Sequence, residues 1–445
     1  MTDAPHSGVR VGTALSTIMR SPITVWVAFI LVHLVLGLIC LYSPSNPLGD
    51  VTRVYRFWME HARETGVWVG LDTVWVYPIL ALVPMVVSSA FGDAQYGSTW
   101  LSMVLLLDVV AFGFLTGWGR SRERVGVAWW WVAFLLLLGP IALARIDSVS
   151  IALAVIGVLV IASRPQVAAV LLTAATWVKV WPAALVVAAL IALRERSRIL
   201  RVGFVVSGVI IAVALLLGSG GNVLSFITEQ TGRGLQVEAP VSTFWLWQAL
   251  AGEPNTYVYF DKAILTFQVQ GPGSALASAL MTPLLAIAVL VVMVLGIRAA
   301  RAGASAGDLL PPLALALVTT LIAFNKVGSP QYLGWIAVPI ILGLATSRAG
   351  HGGSFRVPAT MALVLAALTQ VVYPYFYLAL LALNPLLLAA LTVRNVLEFV
   401  LLGWAVIAIV RSPLAPKDDA DEDWLPSVWP LRSRHDSVVA ESVKE

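Results

Sequence analysis

Asp50 lies in the stretch PLGDVTRVYRFW (47–58), just after the first long apolar segment and directly before arginines and aromatic residues. Nearby cations favour the charged form of a carboxyl group, so this residue should stay ionised. An ionised carboxylate can act as the general base that removes a proton from a hydroxyl group. Asp50 could also cap the short amphipathic helix predicted by VTRVYRFWMEH, and the two roles are compatible.

Lys179 lies inside the apolar run 166–193. A lysine between apolar stretches is costly in lipid and is often functional. The run is long enough for two short helices that turn at KVWP, which would place Lys179 at the turn. The alternative is a lysine that extends its ammonium group to the membrane interface beside its tryptophan neighbours.

Arg233 is flanked by Gly232 and Gly234 in the stretch TEQTGRGLQVEAPVSTFWLW. The glycines allow close approach of the backbone, and the guanidinium group offers a fork of donors that matches a phosphate. Gln236 and Glu238 could hold sugar hydroxyl groups. The alternative is an ordinary polar loop with a surface arginine.

Further basic residues lie beside polar residues at predicted helix ends, in RID, FNKVGSPQY and VRN. Lys326 and Arg394, together with Lys179 and Arg233, are candidates for stabilising the charge of a leaving phosphate. The residues that we expect to contact substrate are Arg53, Tyr77, Arg145, Asp147, Gln236, Glu238, Gln331 and Tyr332.

Several kinds of site are missing from the sequence: it has no Walker loop, HExxH, CxxC, GxSxG or dinucleotide-binding motif. Without a nucleotide site, the chain either transfers no group or takes the group from a lipid-borne donor. We expect no cofactor and no tightly bound metal, although Glu238 or Asp147 could contribute to a weak divalent site. The single cysteine, Cys40, excludes an intramolecular disulfide. His33 and Asp108, isolated in predicted spans, should form interhelical hydrogen bonds.

The composition limits the class of protein. The 445 residues have a mean hydropathy of +0.88, and only 12% are charged. Apolar runs of about 20 residues recur along the chain, and in lipid such runs must be helices. We therefore expect an all-α polytopic membrane protein. The net charge of +4 reflects loop arginines, and we expect no nucleic-acid partner.

The positive-inside rule orders the spans. Segment 22–42 leaves the cytoplasm, whereas 74–92 and 373–391 are predicted to be excursions at the outer face. About twelve spans remain, with both chain ends cytoplasmic; nineteen Lys and Arg residues then lie inside and nine outside, which together make the 28 of the chain. The predicted parts are a cytoplasmic N-terminus (1–21), a transmembrane catalytic domain (22–411) with outer loops 43–98 and 220–273, and a disordered cytoplasmic tail (412–445).

Several motifs together resemble a known family. GD followed by VYRFW and then VYPILALVPM resembles the opening of the GT-C glycosyltransferases. In the same order as in the family, VKVWPAAL, RGLQVEAPVST, NKVGSPQYLGW and VRN resemble stretches of the polyprenol-phosphate-mannose-dependent α-mannosyltransferases of actinobacteria, the PimE-like group (glycosyltransferase family 87). Two departures are VEAP in place of ES and YPI in place of YPP.

This resemblance implies a GT-C fold with outer-face juxtamembrane helices after the first span, and Asp50 in the place of the general base. It also implies a polyprenyl-phosphate-mannose donor, a mannosylated glycolipid or lipoglycan acceptor, inversion, and an α-(1→2) linkage. The site would face the periplasmic or extracellular side of the plasma membrane.

Other functions stay open at this point. An arabinosyltransferase would use a similar polyprenyl phosphate. A transporter or lipid flippase would show internal repeats and charges near the membrane midplane, whereas this sequence shows no repeat and its charges are predicted to cluster at one face. A non-catalytic scaffold for envelope assembly is the third possibility.

Overall fold

The computed structural model describes residues 21–229, 232–412 and 424–425, so the predicted N-terminus and most of the predicted tail lie outside the described residues. The described chain is almost entirely helical. The α-helices are α1 Pro22–Tyr42, α2 Arg56–Thr65, α3 Leu82–Ser88, α4 Tyr96–Thr116, α5 Val125–Leu138, α6 Ile146–Leu159, α7 Pro165–Val178, α8 Ala183–Ala192, α9 Arg196–Leu216, α10 Thr243–Leu250, α11 Ser274–Arg301, α12 Ala306–Ala323, α13 Ala337–Arg348, α14 Arg356–Gln370, α15 Tyr377–Leu381 and α16 Pro385–Val410. The strands β1 (Tyr257–Asp261) and β2 (Thr266–Gln270) form one antiparallel hairpin.

Eight helical segments of the described chain are long and apolar enough to cross a membrane, which confirms an all-α polytopic membrane protein. They are Pro22–Tyr42, Asp93–Thr116, Val125–Ala142, Arg196–Leu216, Ser274–Arg301, Ala306–Ala323, Arg356–Tyr375 and Pro385–Val410. Four further apolar segments, α6, α7, α8 and α13, form helices of only 10 to 14 residues. At 1.5 Å per residue, the longest of these four measures about 21 Å, well short of the ~30 Å hydrocarbon core.

The short helices lie in the interior, whereas some long ones lie at the perimeter. α6 is buried on almost all sides and packs against α4 and α7. In contrast, only 11% of the apolar window of α9 and 17% of that of α11 is buried inside the protein. Helices with such exposed apolar surfaces need a lipid environment. The core therefore forms around α5–α8 and α12–α14.

The ends of the helices lie on two opposite sides of the bundle, and contacts between loops show which ends lie together. A Cβ atom on Gly126 would lie 2.7 Å from Nη2 of Arg348, and one on Gly307 would lie 3.1 Å from Cβ of His351. We call this side, which carries the basic loops 120–124, 298–301 and 348–356, the arginine end. The opposite side, called the site end, contains the segments 43–50, 143–147, 179–182 and 325–330. Each long helix joins one end to the other.

Neither of the two segments predicted to be excursions contains a complete helix that is long enough to cross a membrane. In 74–92, the helical part runs from Ile79 to Ser88 and measures about 15 Å at 1.5 Å per residue. In 373–391, the first part contains the short α15, but α16 starts at Pro385, whereas hydropathy predicts that the returning span starts at residue 393. The early start has a local cause: the Asn384 side chain accepts hydrogen bonds from the amides of Leu386 and Leu387, and proline is favoured in the first turn.

The predicted outer loop 220–273 is folded. It contains α10 and the hairpin, and residues 235–237 lie along β2 as a third, irregular strand. Val237 N donates to Phe267 O at 3.1 Å, and Val269 N donates to Leu235 O at 2.9 Å. Apolar side chains of this small layer pack on the first turns of α16. The loop is thereby fixed to the helical bundle.

His33 and Asp108 form the interhelical contact that the sequence predicts. Nε2 of His33 lies 3.0 Å from Oδ2 of Asp108, and Nδ1 lies 2.9 Å from the carbonyl oxygen of Phe29. The pair joins α1 to α4 in the apolar interior and lies away from the site end.

Two described residues of the predicted tail contact the bundle. Leu425 is buried in the main core cluster, and a Cβ atom on Gly307 would lie 3.4 Å from Cβ of Trp424. These residues attach to the arginine end.

Candidate active site

Asp50 and Arg145 form an ion pair at the site end. Oδ2 of Asp50 accepts from Nε of Arg145 at 2.9 Å. The guanidinium group also donates to the carbonyl oxygens of Pro47 and Ala144 at 2.6 and 2.7 Å, and to the hydroxyl of Tyr373 at 2.8 Å. Arg145 is buried, whereas the side chain of Asp50 is 45% exposed. The carboxylate is therefore held in one orientation and remains accessible.

The capping role considered for Asp50 is wrong. Asp50 is the first residue of a π-helical segment, Asp50–Tyr55, which continues into α2, and no side chain caps this segment. Its carboxylate turns to Arg145 instead. The partner that orients the Asp50 side chain lies in a distant segment, so the local sequence around Asp50 does not indicate it.

Lys179 lies at the turn between α7 and α8, as predicted. Its Nζ is 4.0 Å from Oδ2 of Asp147, 4.5 Å from the centre of the Tyr77 ring and 5.8 Å from that of Tyr332. The lysine does not extend to the interface, since it is largely buried among these groups. Burial lowers the pKa of the ammonium group, but the Asp147 carboxylate and the tyrosines outweigh it, so the pKa is raised and the group stays cationic.

Two of the predicted cations line one cavity. It has a volume of about 260 Å³, and both Lys179 and Lys326 reach its wall. A stack of aromatic rings forms part of the lining: Tyr332 lies 4.2 Å from Trp335, which lies 5.5 Å from Trp181 between ring centres. Burial lowers the pKa of the Lys326 ammonium group. The cavity combines apolar walls with two positive charges.

The cavity reaches the perimeter of the bundle. Ile227, which is 60% exposed, and the exposed Thr282 of α11 are part of its lining. The cavity therefore lies next to α11, whose apolar surface is mostly exposed.

Glu238 and Arg394 are paired in a separate buried cluster. Nη1 of Arg394 donates to Oε2 of Glu238 at 3.0 Å, and Nη2 donates to the Glu238 carbonyl at 2.6 Å and to Oδ1 of Asn395 at 2.8 Å. Glu398 lies 3.6 Å from Nε on the same helix. Burial raises the pKa of Glu238, and Arg394 opposes this rise. All three nitrogens of Arg394 therefore have partners in the protein.

The remaining predicted residues are distributed as follows. Asp147 accepts from Nε1 of Trp335 at 2.7 Å, and Gln331 accepts from the hydroxyl of Ser329. The backbone N–H of Gln236 donates to the backbone carbonyl oxygen of Lys326 at 3.0 Å. Arg233 is half-buried and close enough to Lys179 to oppose the rise in its pKa. Arg53 is exposed.

Sequence reasoning missed Tyr373, Trp335, Asn395 and Glu398. Tyr373 holds Arg145, and Trp335 holds Asp147, so both orient predicted site residues. Two features of the sequence indicate the buried cluster. Asn395 directly follows Arg394 in VRN, and Glu398 lies four residues after Arg394, on the same face of a helix. No group of three or more histidine, cysteine or acidic side chains that could hold a metal ion occurs within residues 21–229, 232–412 and 424–425.

Gly328 lets its backbone pack directly against the backbone of Glu238 and Ala239. A Cβ atom there would overlap the backbone of Ala239 and Glu238, which cannot move as a side-chain end can. We expect Gly328→Ala to lower the free energy of unfolding by about 1–3 kcal/mol. Thermal unfolding of the purified protein in detergent measures this. Gly353→Ala, where the added Cβ meets nothing within 4 Å, is the control, and equal midpoints for both variants would refute the close approach.

Comparison with known proteins gives one match. The model of glycosyltransferase family 87 matches residues 75–253, a segment that contains Arg145, Asp147, Lys179 and Glu238. No curated protein and no solved structure matches the chain. Asp50 and Lys326 lie outside the matched segment. The match within a bundle of membrane-spanning helices identifies the chain as a membrane glycosyltransferase.

Proposed function

We propose that the chain transfers a mannosyl unit from polyprenyl-phosphate-mannose to a glycolipid or lipoglycan acceptor, with Asp50 as the general base. The observation that carries this proposal is the pairing of a fixed but half-exposed carboxylate with a lysine-lined apolar cavity at the same end of the bundle. A lipid-linked phosphate needs positive charge for its head group and apolar walls for its chain.

The proposed reaction is a single displacement. Asp50 accepts the proton of the acceptor hydroxyl as its oxygen attacks the anomeric carbon of the donor. A bond forms between that oxygen and carbon, and the bond between the carbon and the phosphate oxygen breaks. Polyprenyl phosphate leaves with the electron pair, and the anomeric centre inverts. The α-(1→2) linkage is part of the proposal on the family resemblance alone.

The cations have separate proposed roles. Lys179 and Lys326 bind the leaving phosphate from the cavity wall, and Arg233 approaches from the loop. Positive groups that are already in place stabilise the charge that develops on the leaving phosphate, and they lower the activation free energy because they need not move during the reaction. Arg145 fixes Asp50, and Arg394 fixes Glu238 rather than binding phosphate, since its nitrogens are already bound.

The orientation follows from charge. Basic loops mark the cytoplasmic side of a membrane protein, and they lie at the arginine end. The site end, with Asp50 and the cavity, then faces the outside of the plasma membrane. A polyprenyl-linked donor suits that side because it needs no soluble nucleotide there.

A transfer assay tests this function. Membranes from cells that lack the chain, and from the same cells with it restored, receive radiolabelled polyprenyl-phosphate-mannose; a second arm receives polyprenyl-phosphate-arabinose. We expect labelled mannose in the glycolipid fraction only when the chain is present. Transfer of arabinose alone would replace the proposed donor. Absence of transfer from either donor by the folded chain would contradict the proposal.

Replacing Lys179 tests the phosphate site. We expect Lys179→Gln to lower kcat about 10²- to 10³-fold, because a charge that stabilises the leaving group is lost. The matched control is Lys262→Gln, which removes an exposed lysine from the hairpin at the same end. Similar rates for both variants would remove Lys179 from the mechanism. Thermal unfolding of both variants separates a lost charge from a damaged fold.

A further inference from the structure

Helix α10 has two different faces. Trp245 and Leu246 are buried in one apolar cluster with Leu388 and Leu391 from the start of α16. Phe244 and Trp247, one turn apart, point the other way and are 60% and 39% exposed. The sequence of the helix, TFWLWQAL, contains no charged residue. Two large aromatic side chains thus lie uncovered on an uncharged helix.

The depth of α10 can be read from α16. Nε1 of Trp247 donates to Oγ1 of Thr392 at 2.9 Å. From Thr392 to the end of α16 at Val410 is about 27 Å along the helix axis, and the hydrocarbon core is ~30 Å thick. If the arginine end marks one boundary of the core, Trp247 lies close to the other boundary. Tryptophan is enriched at that level in membrane proteins.

The exposed surface around α10 is continuous with a lipid-facing surface. On α16, Val393 is 50% exposed beside Thr392, and Val396 is 56% exposed one turn deeper. Phe244 and Trp247 therefore extend an apolar stripe that already faces the bilayer.

We propose that α10 is an interfacial helix that lies in the bilayer boundary at the site end, with Phe244 and Trp247 inserted at the level where head groups meet acyl chains. Tryptophan is enriched at membrane–water interfaces, and a short helix without charged residues loses no ionic hydration when it enters that layer. The partner is the lipid surface itself, not another protein.

The helix is also tied to the site. Oγ1 of Thr243 accepts from Nδ2 of Asn395 at 2.8 Å, and the hydroxyl of Ser242 donates to the carbonyl oxygen of Gln236 at 2.6 Å. The backbone N–H of Gln236 in turn donates a hydrogen bond to the carbonyl oxygen of Lys326. The bilayer thereby supports the segment that carries the cavity lysine; the consequence for catalysis rests on the proposed function, whereas the location of α10 does not.

Depth-dependent quenching tests the location. The only native cysteine, Cys40, is replaced in a Cys40→Ala background, and Phe244→Cys is labelled with an environment-sensitive fluorophore in proteoliposomes. We expect blue-shifted emission, strong quenching by lipids that carry a nitroxide at the top of the acyl chain, and little quenching by iodide. Glu253→Cys, exposed just beyond the helix, is the matched control and should be quenched by iodide.

The outcomes are distinct. Equal iodide quenching at positions 244 and 253 would place α10 in water and refute the proposal. Protection of position 244 from both iodide and lipid nitroxides would mean that another protein surface covers it, which also refutes the proposal. Trp247→Cys provides a second probe if labelling at 244 disturbs the fold. None of these outcomes depends on mannosyl transfer.

Discussion

Asp50→Asn is expected to lower the rate of mannosyl transfer about 10²- to 10⁴-fold, the usual contribution of a general base. Asparagine keeps the size of the side chain and can still accept a hydrogen bond from Nε of Arg145 through its amide oxygen. It cannot take the proton of the acceptor hydroxyl. The variant should therefore fold and bind both substrates, so that kcat falls while KM changes little. Initial rates with radiolabelled donor in membranes measure the effect.

Asp93→Asn is the matched control for this prediction. Asp93 is also a partly exposed carboxylate paired with an arginine, Arg63, and it lies outside the described site. We expect it to retain normal activity. Full transfer by Asp50→Asn, or an equal loss in both variants, would show that the carboxylate of Asp50 is not the base. Asp50→Glu, which keeps the charge but moves it, should recover only part of the rate.

Arg394→Leu is expected to have the largest effect on stability. The change leaves Glu238 and Glu398 buried without their cation, and breaking a buried ion pair typically costs about 3–5 kcal/mol. Glu238 would in addition lose the partner that opposes the effect of burial on its pKa. Thermal unfolding in detergent, followed through loss of monodisperse protein, measures the decrease.

Two further variants test the cause of this loss. Arg53→Leu removes an exposed arginine at the same end and should change stability by less than about 0.5 kcal/mol. Adding Glu238→Gln to Arg394→Leu should recover part of the stability, because one uncompensated charge is then removed. If the double variant is no more stable than Arg394→Leu alone, the buried pairing does not explain the loss.

The parts of the protein that could be predicted depend on local sequence. Hydropathy over about 20 residues predicts a membrane helix because the lipid environment acts on each segment separately. The turn at Lys179 was also predictable, since a lysine and a proline interrupt one long apolar run. The distribution of arginines likewise indicates which helix ends belong together.

The sequence predicts helix length poorly where a helix is surrounded by other helices rather than by lipid. α6 and α8 need not match the bilayer thickness because protein surrounds them, so these apolar runs form helices shorter than the segments of about 20 residues that hydropathy predicts. The start of α16 was misplaced because its cap at Asn384 was not recognised.

By itself, the sequence determined that this chain is a helical membrane protein, that Asp50 lies at the end of a span, and that most basic residues lie in loops at one end. Only the tertiary structure decided which charges meet. Arg394 and Glu238 are 156 residues apart in the chain but 3.0 Å apart in space, and Arg145, rather than any of the predicted phosphate-binding residues, reaches Asp50. Hydropathy and loop charge are properties of single segments, whereas an ion pair depends on the packing of two segments, and that packing is set by the whole bundle.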